Sequence, residues 1–350
     1  MRILIFLSLL LTLISCTDKH TKKQHGQSTI EQPKYAKLFH FEINDKGEQE
    51  LVVLDADTGS EIFRNIALDH PKTVVLSTTH IGMLDAIDQL ELIVGIPSKK
   101  FIHNPTLLKN SGGLIEVIND NQLPLEEIYF SKTQLFIHSA YSPQLTQHKL
   151  LNDKNIISLP NQDWKETSPL ARAEWIIALG FIIGEHDKAI EKFNEIEKNY
   201  QLLTESAKDL PSSKQTICGN IFADYWNTPA KDSYAAQLLR DAKIDYIYKD
   251  VEGKTTLALT LEQVIAENTQ THLWLNPGAN SKKSIKLANS KAEQIPAFVE
   301  GNIYCYSHQN NYYWENALVY PDRLLGDLIQ IAHPQQNFIQ SKLYFYQKVK

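Results

Sequence analysis

A charged run from Glu185 to Asp209, EHDKAIEKFNEIEKNYQLLTESAKD, constrains the fold more than any other stretch of this chain. Ala189, Ile190, Phe193, Ile196, Tyr200 and Leu203 recur at three- and four-residue steps and share one stripe, while Lys188, Glu191, Lys192, Glu195 and Lys198 cover the opposite face. The pattern predicts one long helix that packs on one side and meets water on the other. Gly184 ends an apolar helix that runs from about Pro169 through Trp175, Ile176, Leu179 and Ile183, and Pro211 closes the far end. At a rise of about 1.5 Å per residue the run reaches roughly 35 Å, about the width of a small domain, so it can hold two lobes at a nearly fixed distance. Periodicity alone equally allows a helix lying on the surface of one domain, and the flanking sequence has to decide.

The flanks favour two lobes. A chain of 350 residues exceeds one ordinary core, and 43% hydrophobic with 22% charged content supplies apolar material for two. A formal charge of -6 provides no basic field for nucleic acid. No CxxC, HExxH, GxSxG or GxxxxGK[ST] pattern occurs, so the commonest catalytic signatures are absent.

Residues 1–16, MRILIFLSLLLTLISC, carry one positive charge and an apolar run too short to span a bilayer comfortably. Leu13-Ile14-Ser15-Cys16 resembles the end of a bacterial lipoprotein signal. The resemblance implies removal of residues 1–15 and acylation of Cys16, with the mature protein held at the cell envelope by its acyl chains. Residues 16–35 are polar and read as a flexible tether, followed by a first α/β lobe over 36–184, the bridging helix over 185–209 and a second α/β lobe over 210–350. Lys37–Ile43 and Glu50–Asp55 flank Asn44-Asp45-Lys46-Gly47 and predict a β-hairpin at an edge. In KTVVLSTTHIGMLDAIDQLELIVGIP, Val74–Leu76 predict a buried strand, Ser77 or Thr78 a helix cap, Met83, Leu84, Ile87 and Leu90 a helix stripe, and Leu92–Ile96 a second strand. This βαβ unit places Ser77-Thr78-Thr79-His80 at the carboxyl end of a parallel strand, where open α/β sheets put their ligands. A helix over about Leu125–Phe130 and a strand at Leu135–His138 repeat the pattern. In the second half it recurs as strand Thr216–Phe222, helix Ser233–Ala242, strand Ile244–Tyr248, helix Leu261–Asn268 and strand His272–Leu275. Cys218 and Cys305 both fall in predicted strands, where a free thiol packs as a small hydrophobe; export would permit a disulfide between them.

The stretch VVLSTTHIGMLDAIDQLELIVGIPSKKFIHNP resembles the opening lobe of the periplasmic-type binding proteins that serve ABC importers for iron-siderophores, haem and vitamin B12. The resemblance continues through PLEEIYFSKTQLFIHS, where relatives commonly have Asn at Pro124 and Pro-Asp at Thr133-Gln134. It then runs through WKETSPLARAEWIIALGFIIGEHDKA, FADYWNTPAKDSYAAQLLRDAKIDY, LTLEQVIAENTQTHLWLNPG and NNYYWENALVYPDRLLGDLIQIAHP, covering roughly residues 72–335. It implies two lobes, each a small parallel-rich sheet with flanking helices, joined by one long helix that permits little movement. It also implies a monomer that carries an iron chelate, corrinoid or haem in the cleft, without chemical change, to a permease and ATPase complex.

Aromatic residues at the loop ends, Phe101, Tyr141, Phe222, Tyr225, Trp226, Tyr312, Tyr313 and Trp314, suit a flat or macrocyclic ligand. For any one of them core packing is the commoner role, and the clusters Tyr225-Trp226 and Tyr312-Tyr313-Trp314 stand out because turn signals flank them. His80, with His103 and His138, falls near strand ends and is a candidate ligand contact, or part of a site for zinc or manganese as in a neighbouring receptor family. Glu166 and Glu315 are candidates to orient a ligand and Arg172 to neutralise an acidic one. A third reading, an exported hydrolase, would pair Glu166, Glu315 and Asp224. Glu126 and Glu262 each stand in a Leu-Glu pair just inside a helix N-terminus, where the helix dipole favours a carboxylate. The resemblance implies that they also dock onto arginines of the two permease subunits.

Overall fold

Alternating apolar residues after Gln32 build an antiparallel meander, β1 (Phe39–Ile43), β2 (Gln49–Leu54) and β3 (Glu61–Ile66), at the start of the computed structural model. The model describes residues 31–117, 123–139, 148–222, 224–268, 270–307, 309–335 and 342–350. The β1–β2 register runs from Phe39↔Val53 to Ile43↔Gln49, and the Asn44 side chain accepts the amides of Lys46 and Glu48 inside the turn. Strand β3 was not legible in the sequence because its residues are mostly exposed. Arg64 pins it instead, pairing with Glu42, Glu50 and Glu61 across the three strands.

The first lobe carries five parallel strands: β4 (Thr73–Val75), β5 (Ile93–Ile96), β6 (Ile115–Glu116), β7 (Leu135–Ser139) and β8 (Ile157–Asn161), in the order β6-β5-β4-β7-β8. Its helices are α1 (Thr78–Ala86), α2 (Pro105–Lys109), α3 (Leu125–Phe130), α4 (His148–Asn152) and α5 (Pro169–Ile182). From β4 the chain winds outward through β5 and β6, then returns to the other side of β4 for β7 and β8. The carboxyl ends of β4 and β7 therefore form a topological switch point, where an open α/β sheet leaves a crevice.

One helix, α6 (His186–Ala207), leads to the second lobe. Ala189, Phe193, Ile196 and Tyr200 are its buried stripe. Gly184 turns the chain out of α5 at φ 88°, and Gly180 lets the two helices close up, since a Cβ there would lie 2.3 Å from that of Ala189.

The second lobe has the parallel strands β9 (Thr216–Cys218), β13 (Leu273–Leu275) and β14 (Ile303–Tyr306), with β15 (Tyr346–Lys348) antiparallel at one edge, in the order β15-β14-β13-β9. A small antiparallel sheet, β10 (Asn220–Phe222), β11 (Tyr225–Pro229) and β12 (Thr256–Thr260), adjoins it. The helices are α7 (Tyr234–Asp241), α8 (Leu261–Glu267), α9 (Lys282–Ala288), α10 (Pro296–Glu300), α11 (Tyr313–Asn316) and α12 (Pro321–Ala332). The strand expected over Thr216–Phe222 is broken in two at Gly219, φ 128°, where a Cβ would meet the Asn227 carbonyl oxygen at 2.2 Å. The strand expected over Ile244–Tyr248 shrinks to one bridge, Thr216↔Tyr246. Cys218 in β9 and Cys305 in β14 are free, and β13 lies between them. Two strand spacings, about 9.6 Å, are too far for a disulfide.

Two buried carboxylates fasten the residues before β1. Glu174 of α5 accepts the amides of Lys34, Tyr35 and Ala36 at 2.7, 2.8 and 2.7 Å, and Glu166 accepts those of Lys37 and Leu38 at 2.9 and 3.0 Å. Burial pushes both carboxyl groups above their ordinary range, and the donated N–H groups oppose that rise. Glu166 thus serves as a backbone acceptor through its Oε1. Replacing Glu174 by Ala orphans three amides and should cost about 2–4 kcal/mol of unfolding free energy in urea. A loss within about 0.5 kcal/mol, the range of an ordinary surface change, would show that the clamp contributes nothing.

Candidate functional site

The crevice predicted by the strand order opens where the two lobes meet. Ser77 caps α1, its hydroxyl accepting the Thr79 amide at 3.3 Å, and this turns the first residues of α1 toward α11 of the second lobe. Pro169 starts α5 and brings Arg172 to the same place. From the second lobe Ser233 caps α7 and presents Tyr234. Tyr312, at φ 55°, bends the chain into α11 and sets Tyr313 and Trp314 beside them. Together with Leu324 these side chains enclose a cavity of about 120 Å³.

Its chemistry is aromatic with one cation. The Arg172 guanidinium lies 4.1 Å from the centroid of Tyr234, and its Nε donates to the Asp163 carbonyl oxygen at 3.1 Å. Burial pushes the Asp163 carboxyl up to about 6, against the pull of Arg172. Tyr313 stacks flat on Tyr306, centroids 4.0 Å apart and planes 4° apart, and Trp314 stands edge-on to both at 5.3 Å. Trp314 is 44% exposed and also borders a larger open cavity of about 990 Å³. Among the described residues that larger cavity takes only His103 from the first lobe and is otherwise a polar concavity of the second lobe, with Asn220, Ser281, Gln309 and Lys348 on its walls. The smaller cavity is the one built by both lobes at the switch point, and it is the better candidate for the site.

The structure separates the sequence candidates. Tyr313 and Trp314 meet in the crevice; Tyr312, partly buried, serves as the bend before them. Trp226 is a correction: it is fully buried, donates to the Cys218 carbonyl oxygen at 3.0 Å and packs on Trp274, because alternation along β11 turns it to the core. Tyr225 and Phe222, opposite one another in the β10–β11 pair, take the other face and are exposed. Phe101 is exposed under Lys100 on the first lobe. Tyr141 lies outside the described residues, as does Cys16. His80 is buried inside α1 rather than facing the crevice, and neither ring nitrogen has a partner among the described residues. His138 is buried in β7, with Nδ1 3.2 Å from the Ser139 carbonyl oxygen. Among the described residues no three His, Cys, Asp or Glu side chains converge as metal ligands would. Glu315 accepts the His103 and Asn104 amides and Glu166 those of Lys37 and Leu38, so both of these carboxylates are held by backbone N–H groups. Glu126 and Glu262 are exposed in the first turns of α3 and α8, on separate lobes, and Glu262 is ion-paired with Lys291.

Thr79 belongs to the Ser77–His80 junction that the sequence places at the ligand end of the sheet, whereas Tyr234 in the cavity wall, and Tyr306 stacked behind Tyr313, were not among the sequence candidates. The one signal for Tyr234 is its place directly after the helix cap Ser233, at a position that sequence pattern assigns equally to a packing residue.

His80 carries a consequence for stability. Burial holds its pKa at about 3, below the ordinary value of about 6.5 that it regains on unfolding. The unfolded chain therefore takes up the proton first, and stability falls as pH drops from about 6.5 toward about 3. Between pH 6.5 and 4.5 this group should remove about 2–3 kcal/mol, and His80→Leu should abolish that share of the pH dependence in urea unfolding. Equal slopes for variant and parent would refute the assignment.

A family model described as periplasmic binding protein matches residues 73–309. An uncharacterized lipoprotein of Methanocaldococcus jannaschii is 23% identical over 299 residues, which is 82% of this chain and 70% of the relative. Among solved structures, a periplasmic binding protein from Veillonella parvula superposes with a TM-score of 0.62 at 17% identity, covering 81% of this chain and 98% of its own. A periplasmic heme binding protein from Pseudomonas aeruginosa gives a TM-score of 0.58 at 14% identity, covering 78% and 96%.

Proposed function

The chain belongs to the periplasmic binding protein family, whose members bind solutes rather than transform them, and from this premise we propose that it is the receptor of an ABC importer. Its cargo is an iron chelate, corrinoid or haem taken up in the crevice between the lobes, and acid-bearing cargo fits best. The observation that carries this reading is Arg172, a cation braced over Tyr234 and bordered by Tyr313 and Trp314. A guanidinium presents its donors to a carboxylate, as on a propionate or a hydroxycarboxylate chelate, while the rings take the flat or apolar part. The heme-binding protein of like fold and the lipoprotein relative agree with such cargo and with an acylated Cys16 that holds the receptor at the envelope.

Titration of tryptophan fluorescence with haemin, ferric citrate and cyanocobalamin tests the site. The productive ligand should lose at least tenfold in affinity with Arg172→Ala and further with Trp314→Ala, about 1.4 kcal/mol for the first step. Unchanged affinity in the double variant would place the site elsewhere.

Glu126 and Glu262 form the proposed contact with the permease, one knob on each lobe held apart by α6. Two weak contacts on a rigid body reinforce one another through effective concentration. Lysine at both positions should abolish stimulation of the reconstituted transporter ATPase while cargo affinity stays within about twofold, roughly 0.4 kcal/mol. Full stimulation by that variant, or loss of cargo affinity, would remove the assignment.

A further inference from the structure

The crevice between the lobes is too small for the cargo its chemistry suits. It holds about 120 Å³, whereas sites that enclose a ligand of drug size span about 300–1,000 Å³. Beside the packing of α5 on α7 and α12, the lobes also meet across the crevice in a polar contact, α1 and the loop before α2 on one side and α11 on the other. Glu315 of α11 reaches across, and its Oε1 accepts the backbone amides of His103 at 2.7 Å and Asn104 at 3.2 Å. The Thr78 hydroxyl donates to the Trp314 carbonyl oxygen at 3.0 Å. Gly82 permits the approach, since a Cβ at this position would lie 1.8 Å from the Glu315 carbonyl oxygen and 2.6 Å from its carbon.

The first-lobe side of the contact is preset. Asn104 donates to Asp85 of α1 at 3.0 Å and accepts the Thr106 and Leu107 amides at 3.0 and 3.2 Å, so loop and α1 present one surface. The Glu315 side is not saturated. Its carboxylate is buried, and Oε2 has no partner among the described residues. A buried carboxylate with one orphaned oxygen bears a desolvation cost that its two hydrogen bonds offset only in part. Separation of the lobes would rehydrate it and recover that cost, so this contact is far easier to break than the apolar packing of either lobe.

We infer that the α1–α11 contact is a latch: Glu315, at the distance Gly82 allows, holds the crevice shut, and cargo enters when the contact parts. The latch rests on the reading of this crevice as the cargo site. Cargo then binds a minority open state, and its apparent affinity is reduced by the fraction of molecules that are open. Glu315 is a positioning residue for that equilibrium and does not itself touch cargo.

Ligand-free amide exchange tests the latch separately from the cargo reading, because failure of the Arg172 titration would leave this measurement untouched. The His103 and Asn104 amides should exchange at least tenfold faster in Glu315→Ala, in Gly82→Ala and, more weakly, in Thr78→Val, while the amides of β4 and β13 keep their protection. Glu315→Gln, which retains an acceptor oxygen, should stay close to the parent. In a Cys16→Ser background, a cysteine introduced by Thr79→Cys in the closed crevice should be alkylated by iodoacetamide at least tenfold faster once Glu315→Ala is added. Unchanged exchange at 103–104 and unchanged alkylation would overturn the latch. Joint acceleration of the β4 and β13 amides would overturn it too, since the contact would then be part of the global fold.

Discussion

The packing of α6 between α5 and α12 is the constraint on which the rest of the structure depends. A helix with one apolar stripe and one charged face can bury its stripe only against partners, and Ala189, Phe193, Ile196 and Tyr200 find them in the last helix of the first lobe and the last helix of the second. The close approach of Gly180 to Ala189 makes α5 and α6 behave as one hairpin. The distance between the two sheets, and hence the width of the crevice in front of α6, follows from that packing.

Buried carboxylates recur as acceptors for backbone amides rather than as chemical groups. Glu174 and Glu166 hold the segment before β1, and Asp327 of α12 does the same for the segment around β15, accepting the Tyr344, Phe345 and Tyr346 amides at 2.7, 2.6 and 2.9 Å. Each sits on an element of a packed lobe and ties a strand-edge segment to it, satisfying amides that no ladder would reach. Glu315 uses the same device between the lobes instead of within one. The shared chemistry explains why none of these acids pairs with another as a catalytic or metal-binding couple would require.

On the proposed reading of the crevice as a cargo site, its walls combine two features. Arg172 and the ring cluster of Tyr306, Tyr313 and Trp314 supply a charge and broad apolar faces, which favour an acid-bearing ligand with a flat part. Tyr313 stays buried behind the contact of α11 with α1, while Trp314 keeps an exposed face.

The sequence by itself determined what depends on local periodicity. The stripe of α6, the cap at Ser77, the apolar run at Val74–Val75 and the alternation of strands and helices are set by neighbours within a few residues, so they could be read without a structure. Strand β3 escaped because its pairing with β2 rests on Arg64 reaching carboxylates up to 22 residues away, and no apolar pattern announces it. Tertiary structure alone decided which aromatic residues line the crevice. Trp226 and Trp314 carry the same side chain beside similar turn signals, yet one is core and the other a crevice wall, because the face of a strand and the bend at Tyr312 are fixed by partners far along the chain. The same holds for Arg172 with Tyr234 and for Glu315 with the His103 and Asn104 amides, pairs that meet across lobes whose separation is set by α6; sequence supplied their chemistry, and packing supplied their meeting.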